Sequence, residues 1–326
     1  MTGASVPHGG RLIAAQAAWP SAPRPWLDLS TGINPHGWRK GRASFDTLTR
    51  LPDPEDTAAL EAVAAAAFGV DPANVAAVAG AEAGLRLLPT LMTARHVAIA
   101  SPTYGSHANA WRLAGVEVVA LERAALAEAD ASVLVVVNPN NPDGALSAPA
   151  DLIAAAGDRW LVIDESFGEV APGFSAASLA TGRVVVLRSF GKFYGLPGVR
   201  LGFIVADPDL ADRVRRRVGD WPVGGEAIAF GRAAYADSDW ADAMRVQLQG
   251  EAARLDGLLV ASGFRIVGGT SLFRLAAADD ATVRASKLAE QGVLVRTFDH
   301  DPSLIRFGLP DCSGWSRLET ALENSR

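Results

Sequence analysis

The chain has a single cysteine, Cys312, among 326 residues, which excludes an internal disulfide and any multi-cysteine zinc site. Its histidines (His8, His36, His96, His107 and His300) are scattered and match no metal-ligand spacing, so no metal is expected. No apolar run is long enough to span a bilayer, and no membrane partner is expected. A basic surplus is also missing. With a net charge of −6 there is nothing to neutralise a phosphate backbone, so nucleic acid is not an expected partner and a ligand-sensing DNA-binding regulator is disfavoured. An anionic small ligand would have to be met by a few placed arginines. The stretch from Arg11 to Pro25 lacks acidic residues, as a transit peptide does, but it has no signal-peptide core and carries Trp19 and several prolines. It reads better as an ordered arm, and the chain as a cytoplasmic protein.

At 49% apolar content the chain can bury a large core. Between about Asp53 and Ala206 helical and strand signals alternate. Helices are expected at 55–68, opened by Asp53-Pro54, and at 81–91. Strands are expected at 96–100, 116–121, 132–137, 160–164, 184–188 and 201–206, several of them apolar throughout. Strands without polar alternation belong in a sheet covered on both faces, so the fold class is α/β with a mostly parallel sheet. After Asp207 a basic helix around Arg213–Arg217 and a long helix near 238–259 lead into short strands at 264–267, 271–275, 293–297 and 304–309, with helices near 282–291 and 314–323. That pattern predicts a large domain over 45–207, and a small α+β domain formed by 208–326 together with an N-terminal arm, 1–44.

Residues 184–202, VVVLRSFGKFYGLPGVRLG, carry the strongest chemical signal. A β-branched run is cut off by Ser189, a glycine and Lys192. A phosphate-binding P-loop would need glycine where Val186 stands and Ser or Thr where Phe193 stands, so that reading fails. A lysine at the mouth of a buried strand, partly desolvated and near a cation, is easier to keep neutral and is suited to carbonyl chemistry. In isolation it would equally be a surface lysine in a turn.

Other positions make sense beside such a lysine if it holds an aldehyde cofactor with a phosphate and a pyridine ring. Asp164 in WLVIDESF ends an apolar strand, where α/β folds place ligands; it could keep a pyridinium nitrogen protonated, cap a helix or bind a metal. Asn138, Asn140 and Asn141 in NPNNPDG fit a turn, yet one amide there could donate to a ring oxygen. Gly80-Ala81-Glu82 opens a helix whose free N–H groups would cradle a phosphate. Tyr104 could stack on a ring. Ser189 and Arg200 offer a hydroxyl and a cation. Arg306 and Arg296 each interrupt an apolar strand, as edge-strand arginines also do.

The NPNNPxG turn, the DExF strand end and the SxxKxxxxPGxRxG segment together resemble the fold-type-I pyridoxal-phosphate enzymes, the aspartate-aminotransferase superfamily, in the branch of histidinol-phosphate aminotransferases and threonine-phosphate decarboxylases. The resemblance covers nearly the whole chain. It implies Lys192 as the Schiff-base lysine, Asp164 as partner of the ring nitrogen and Asn141 on the ring oxygen. It further implies Ser189, Arg200 and the amides of Ala81 and Glu82 on the cofactor phosphate, Tyr104 over the ring, and Arg306 on the substrate carboxylate.

Two N-terminal features are similar to the decarboxylases of cobalamin biosynthesis: His8-Gly9-Gly10, and DLSTGINPHG at 28–37, close to their DFSANINPLG. The resemblance then implies substrate contacts from His8, Gly9, Gly32 and Asn141. Arg296 and Arg306 would share the phosphate and carboxylate of a phosphorylated amino acid. The implied reaction is decarboxylation of threonine phosphate, with transamination of histidinol phosphate or another amino acid as the alternative. A homodimer is also implied. Three positions depart from the family pattern. Leu51 in RLPD replaces a tyrosine that reaches the partner's cofactor phosphate, Gly32 replaces an asparagine, and Phe167 replaces the tyrosine that many aminotransferases place on the ring oxygen.

Overall fold

A computed structural model describes residues 9–325. It divides into two compact units, Gly37–Ala241 and the remainder, which joins the residues before Gly37 to those from Asp242 on. His8 lies outside the described residues.

The larger unit is built on a seven-stranded sheet in the order Val75–Val78, Gly202–Val205, Val184–Ser189, Trp160–Glu165, Val133–Val137, His96–Ala100 and Glu117–Leu121. All neighbours are parallel except that Gly202–Val205 runs antiparallel to both of its partners. Val133–Val137 is buried at every position, as an all-apolar strand covered on both faces should be. The chain steps outward from His96–Ala100 to Glu117–Leu121 and returns to Val133–Val137 on the other side. Such a reversal opens a crevice at the carboxyl ends of the strands, where open α/β sheets bind ligands.

Local sequence explains most of the helices. Pro54–Phe68 starts with Pro at its first position and a capping box between Asp53 and Asp56, which satisfies end amides that the helix cannot. The helix expected over 81–91 stops at Leu87 and continues as a 3-10 turn, Leu88–Thr90, because Pro89 would remove an α-helical hydrogen bond. Strand Val75–Val78 is absent from the expectation: VAAV is short and alanine-rich, and its antiparallel pairing with Gly202–Val205 makes it a buried strand.

The larger unit also extends past the expected boundary at 207. Helix Pro208–Val218 puts Leu210, Ala211 and Val214 into the core of the sheet. Before residue 45, Trp38 is buried and donates to Asp237 at 2.9 Å. Apolar burial thus ties Trp38 and 208–241 to the larger unit.

In the smaller unit four antiparallel strands lie in the order Arg296–Thr297, Leu304–Gly308, Phe273–Ala277 and Arg265–Thr270. Leu27–Asp28 pairs with Val293–Leu294, which ties the N-terminal arm to this unit. Among the described residues no helix is long and apolar enough to cross a membrane, and no cluster of metal-ligating side chains is present.

Candidate active site

At the carboxyl end of the larger sheet is a cavity of about 180 Å³. Lys192, Asp164, Asn141, Tyr104, Ser189, Arg200, Ala81 and Glu82, distributed over 120 residues of chain, all line it. Lys192 sits on a short helical turn, Phe190–Phe193, that follows strand Val184–Ser189 directly. Its Nζ lies 5.6 Å from the centre of the Phe167 ring, so one side of the amine meets an apolar surface.

Asp164 is at the end of the neighbouring strand and is 2% exposed. Burial alone would raise its pKa. A 2.8 Å contact from His107 Nε2 and hydrogen bonds from the Ser166 amide and hydroxyl, at 2.8 and 2.5 Å, outweigh burial and hold the carboxyl below its ordinary range. Hydrogen bonds to the charged form have this effect, and Asp164 stays ionised. Sequence reading took Tyr104 from SPTYGSH and passed over His107. His107 is the second residue of the helix that starts at Ser106, three residues after Tyr104, and a lone histidine there carries no local pattern.

The three asparagines of the turn separate by role. Asn138 exchanges hydrogen bonds with the Ser147 backbone at 3.0 and 2.8 Å, while Arg123 donates to Val137 O at 2.8 Å. Asn140 donates to Pro102 O and Asp143 Oδ1 and accepts from Thr103 Oγ1 at 2.7 Å. These two build the turn and fasten it to the Tyr104 segment. Asn141 faces the cavity.

At the other end of the cavity, helix Ala81–Leu87 starts with N–H groups that have no carbonyl within the helix to bond. Arg200 lies against it in the left-handed region at φ 56, the one non-glycine with positive φ among the described residues. A Cβ on Gly80 would come within 2.7 Å of Arg200 Nη2, and Gly80 itself has φ +91; glycine is what lets the guanidinium approach the helix end. The Ser189 hydroxyl is not used to cap the following helix. Tyr104 donates to Glu82 Oε2 at 3.2 Å, and its phenol is pushed up by burial, with the Glu82 carboxylate adding to the effect.

The remaining expected residues lie in the smaller unit. Arg296 and Arg306 are directly opposite each other on adjacent antiparallel strands, so their side chains share a face. Arg306 is buried, donates to Ser30 O at 2.9 Å, and its pKa is pushed down to about 10 by burial and by Arg296. Arg296 is lowered too, by burial. The backbone of Gly9 packs against Ser30, leaving no room for a Cβ, and the Gly10 amide donates to Ser30 Oγ at 2.8 Å. Gly32 is buried in the same turn. Arm, turn and Arg306 are thereby brought together.

A parallel-sheet crevice holding a lysine beyond one strand and a buried, ionised aspartate on the next defines a class of protein. Residues 24–322 match the aminotransferase class I and II family, and the chain belongs to it. Within that class it is 37% identical to a threonine-phosphate decarboxylase of Sinorhizobium sp., over 98% of both chains. It is 36% identical to a threonine-phosphate decarboxylase of Pseudomonas aeruginosa, over 97% of this chain and 96% of that one. The histidinol-phosphate aminotransferase of Sinorhizobium meliloti, solved in complex with pyridoxal-5'-phosphate, shares the fold with a TM-score of 0.80 at 18% identity, covering 99% of this chain and 98% of that one.

Proposed function

We propose that this protein is a pyridoxal-phosphate-dependent carboxy-lyase that converts L-threonine O-3-phosphate to (R)-1-amino-2-propanol O-2-phosphate in cobalamin biosynthesis. The near full-length identity to two threonine-phosphate decarboxylases supports the substrate and the reaction. The observation that carries the chemistry is the cavity's donor set. An ionised carboxylate stands at one end, a cation, a hydroxyl and helix-end amides at the other, and a lysine against an apolar ring lies on the same wall. That set fits a phosphorylated pyridine aldehyde.

In this reading Arg200, Ser189 and the amides of Ala81 and Glu82 would bind the cofactor phosphate, Tyr104 would cover the ring, and Asn141 would donate to its oxygen. Asp164 would keep a proton on the ring nitrogen, with His107 holding it in place. When bound, the cofactor supplies an electron sink for the pair released from whichever Cα bond breaks. The residues that grip the substrate's two anions decide which bond that is, by orienting it. Arg306 and Arg296 would take the carboxylate and phosphate between them. Opposed on one face, with Asp299 also acting on Arg296, the two guanidiniums are suited to charge-assisted hydrogen bonds with anionic groups. His8, Gly9 and the backbone at Gly32 would contact the substrate. Loss of CO2 leaves Cα to be protonated, and Lys192 or a water would supply that proton. We further propose a cytoplasmic homodimer with Leu51 near the partner's cofactor.

The test is incubation of the holoenzyme with threonine phosphate and no keto acid. Stoichiometric CO2 and aminopropanol phosphate are expected. Turnover only with a keto acid, and no CO2, would make the protein an aminotransferase instead.

A further inference from the structure

Behind the cavity, on the opposite face of the same strands, Arg188 is buried with two carboxylates. Its Nη1 is 2.6 Å from Glu165 Oε2 and its Nη2 is 2.6 Å from Glu169 Oε1. Arg188 and Glu165 are register partners on adjacent parallel strands. Each directly adjoins a residue of the cavity wall: Glu165 follows Asp164, and Arg188 precedes Ser189, three residues before Lys192. Glu169 closes the turn that presents Ser166 and Phe167 to the cavity. One guanidinium therefore fastens three segments that form the site.

The surroundings leave this cluster little slack. Glu165 also accepts from Ser175 Oγ at 2.7 Å and from the Ala176 amide at 2.6 Å. Phe68 lies 4.6 Å from the guanidinium, and Phe203 and Tyr235 pack edge-on to Phe68. A Cβ on Gly168 would fall 2.9 Å from Glu165 Cβ and 3.1 Å from Arg188 Nη1, so the turn behind Phe167 is pressed onto the ion pairs. Arg188 Nε has no hydrogen-bond partner. Buried ion clusters of this kind are often no more stabilising than apolar side chains of equal volume. What they supply is geometry, since a forked guanidinium holds two carboxylates in fixed relative positions.

We propose that Arg188, through Glu165 and Glu169, is a positioning residue that sets the placement of Lys192 and Phe167 relative to Asp164 across the cofactor site. The inference rests on the cofactor reading above. The strand leading to Lys192 and the turn bearing Phe167 are then held together because one planar group grips both, and a lysine ammonium, a point charge without the fork, cannot substitute for it.

The experiment compares wild type with Arg188→Lys, Arg188→Met and the milder Glu169→Gln. Each protein is titrated with pyridoxal phosphate, and the visible band of the bound cofactor is followed against pH. Melting of the cofactor-free proteins is recorded in parallel. Expected are cofactor-free melting close to wild type for Glu169→Gln, a midpoint of the absorbance titration moved by about one pH unit in the Arg188 variants, and kcat reduced by up to about a hundredfold with KM little changed. Arg188→Lys should rescue neither. If Arg188→Lys and Glu169→Gln keep the wild-type absorbance titration and cofactor affinity, the inference is overturned, even where they melt lower, because the cluster would then serve stability alone. A wild type that takes up no cofactor and shows no band would instead overturn the cofactor reading itself.

Discussion

His107 Nε2 lies 2.8 Å from Asp164 Oδ2, with both side chains almost wholly buried, and the two residues are 57 apart in the chain. This pair decides the charge on the carboxyl proposed to meet a ring nitrogen. Burial works against the carboxylate, and His107 and Ser166 reverse the balance.

Replacing His107 with Ala should therefore destabilise the cofactor-free protein at neutral pH by about 1.5–3 kcal/mol, the range for a hydrogen bond to a charged group. Asp164 is depressed in the folded state, so its contribution is present above the unfolded carboxyl value of about 4 and is lost as pH falls through the folded value. The gap between wild-type and variant melting temperatures should shrink in acid. Equal gaps at pH 7 and in acid would show that His107 contributes packing and not charge.

Lys192→Ala should lose turnover while still binding pyridoxal phosphate through the Arg200 end of the cavity. Borohydride reduction of the wild-type holoenzyme followed by peptide mapping should place the label on Lys192. A label on any other lysine would move the reactive amine elsewhere.

For Arg306→Ala or Arg296→Ala, loss of one charge-assisted bond to the substrate should cost about 1.5–3 kcal/mol, roughly ten- to a hundredfold in kcat/KM. Because Arg296 depresses Arg306 while Asp299 and the Phe298 ring hold Arg296, the opposing effects should leave the stability of the ligand-free Arg296→Ala protein little changed. Paired kinetics and melting curves check both halves; wild-type kinetics for both variants would place the substrate elsewhere.

Leu51 is 62% exposed, with Phe45 and Leu48 also exposed nearby, as a segment awaiting a second subunit would be. Sedimentation should show a dimer. Leu51→Tyr should tighten cofactor binding several-fold by adding one hydrogen bond worth about 1 kcal/mol. Weaker binding in a normal dimer would mean that the position is already filled.

The sequence alone carried the parallel-sheet class and the residues of the cavity wall that are set by local rules. β-Branched runs make covered strands wherever they occur, and a strand end followed by Gly-Lys, Asp-Glu or an Asn-Pro turn marks its own boundary, so Lys192, Asp164 and the turn from Asn138 to Asn141 could be found one segment at a time. Tertiary structure decided what depends on distant partners. Val75–Val78 is a strand because Gly202–Val205 pairs with it, and 208–241 belongs with the sheet because Leu210 and Val214 fill its core. Asn138 and Asn140 became structural, and Asn141 the cavity residue, only when Ser147 and Thr103 took the others' hydrogen bonds. His107 and Arg188 carry no local pattern. Their charges acquire meaning from carboxylates that the fold delivers to them in a buried space, where an unpaired charge costs most.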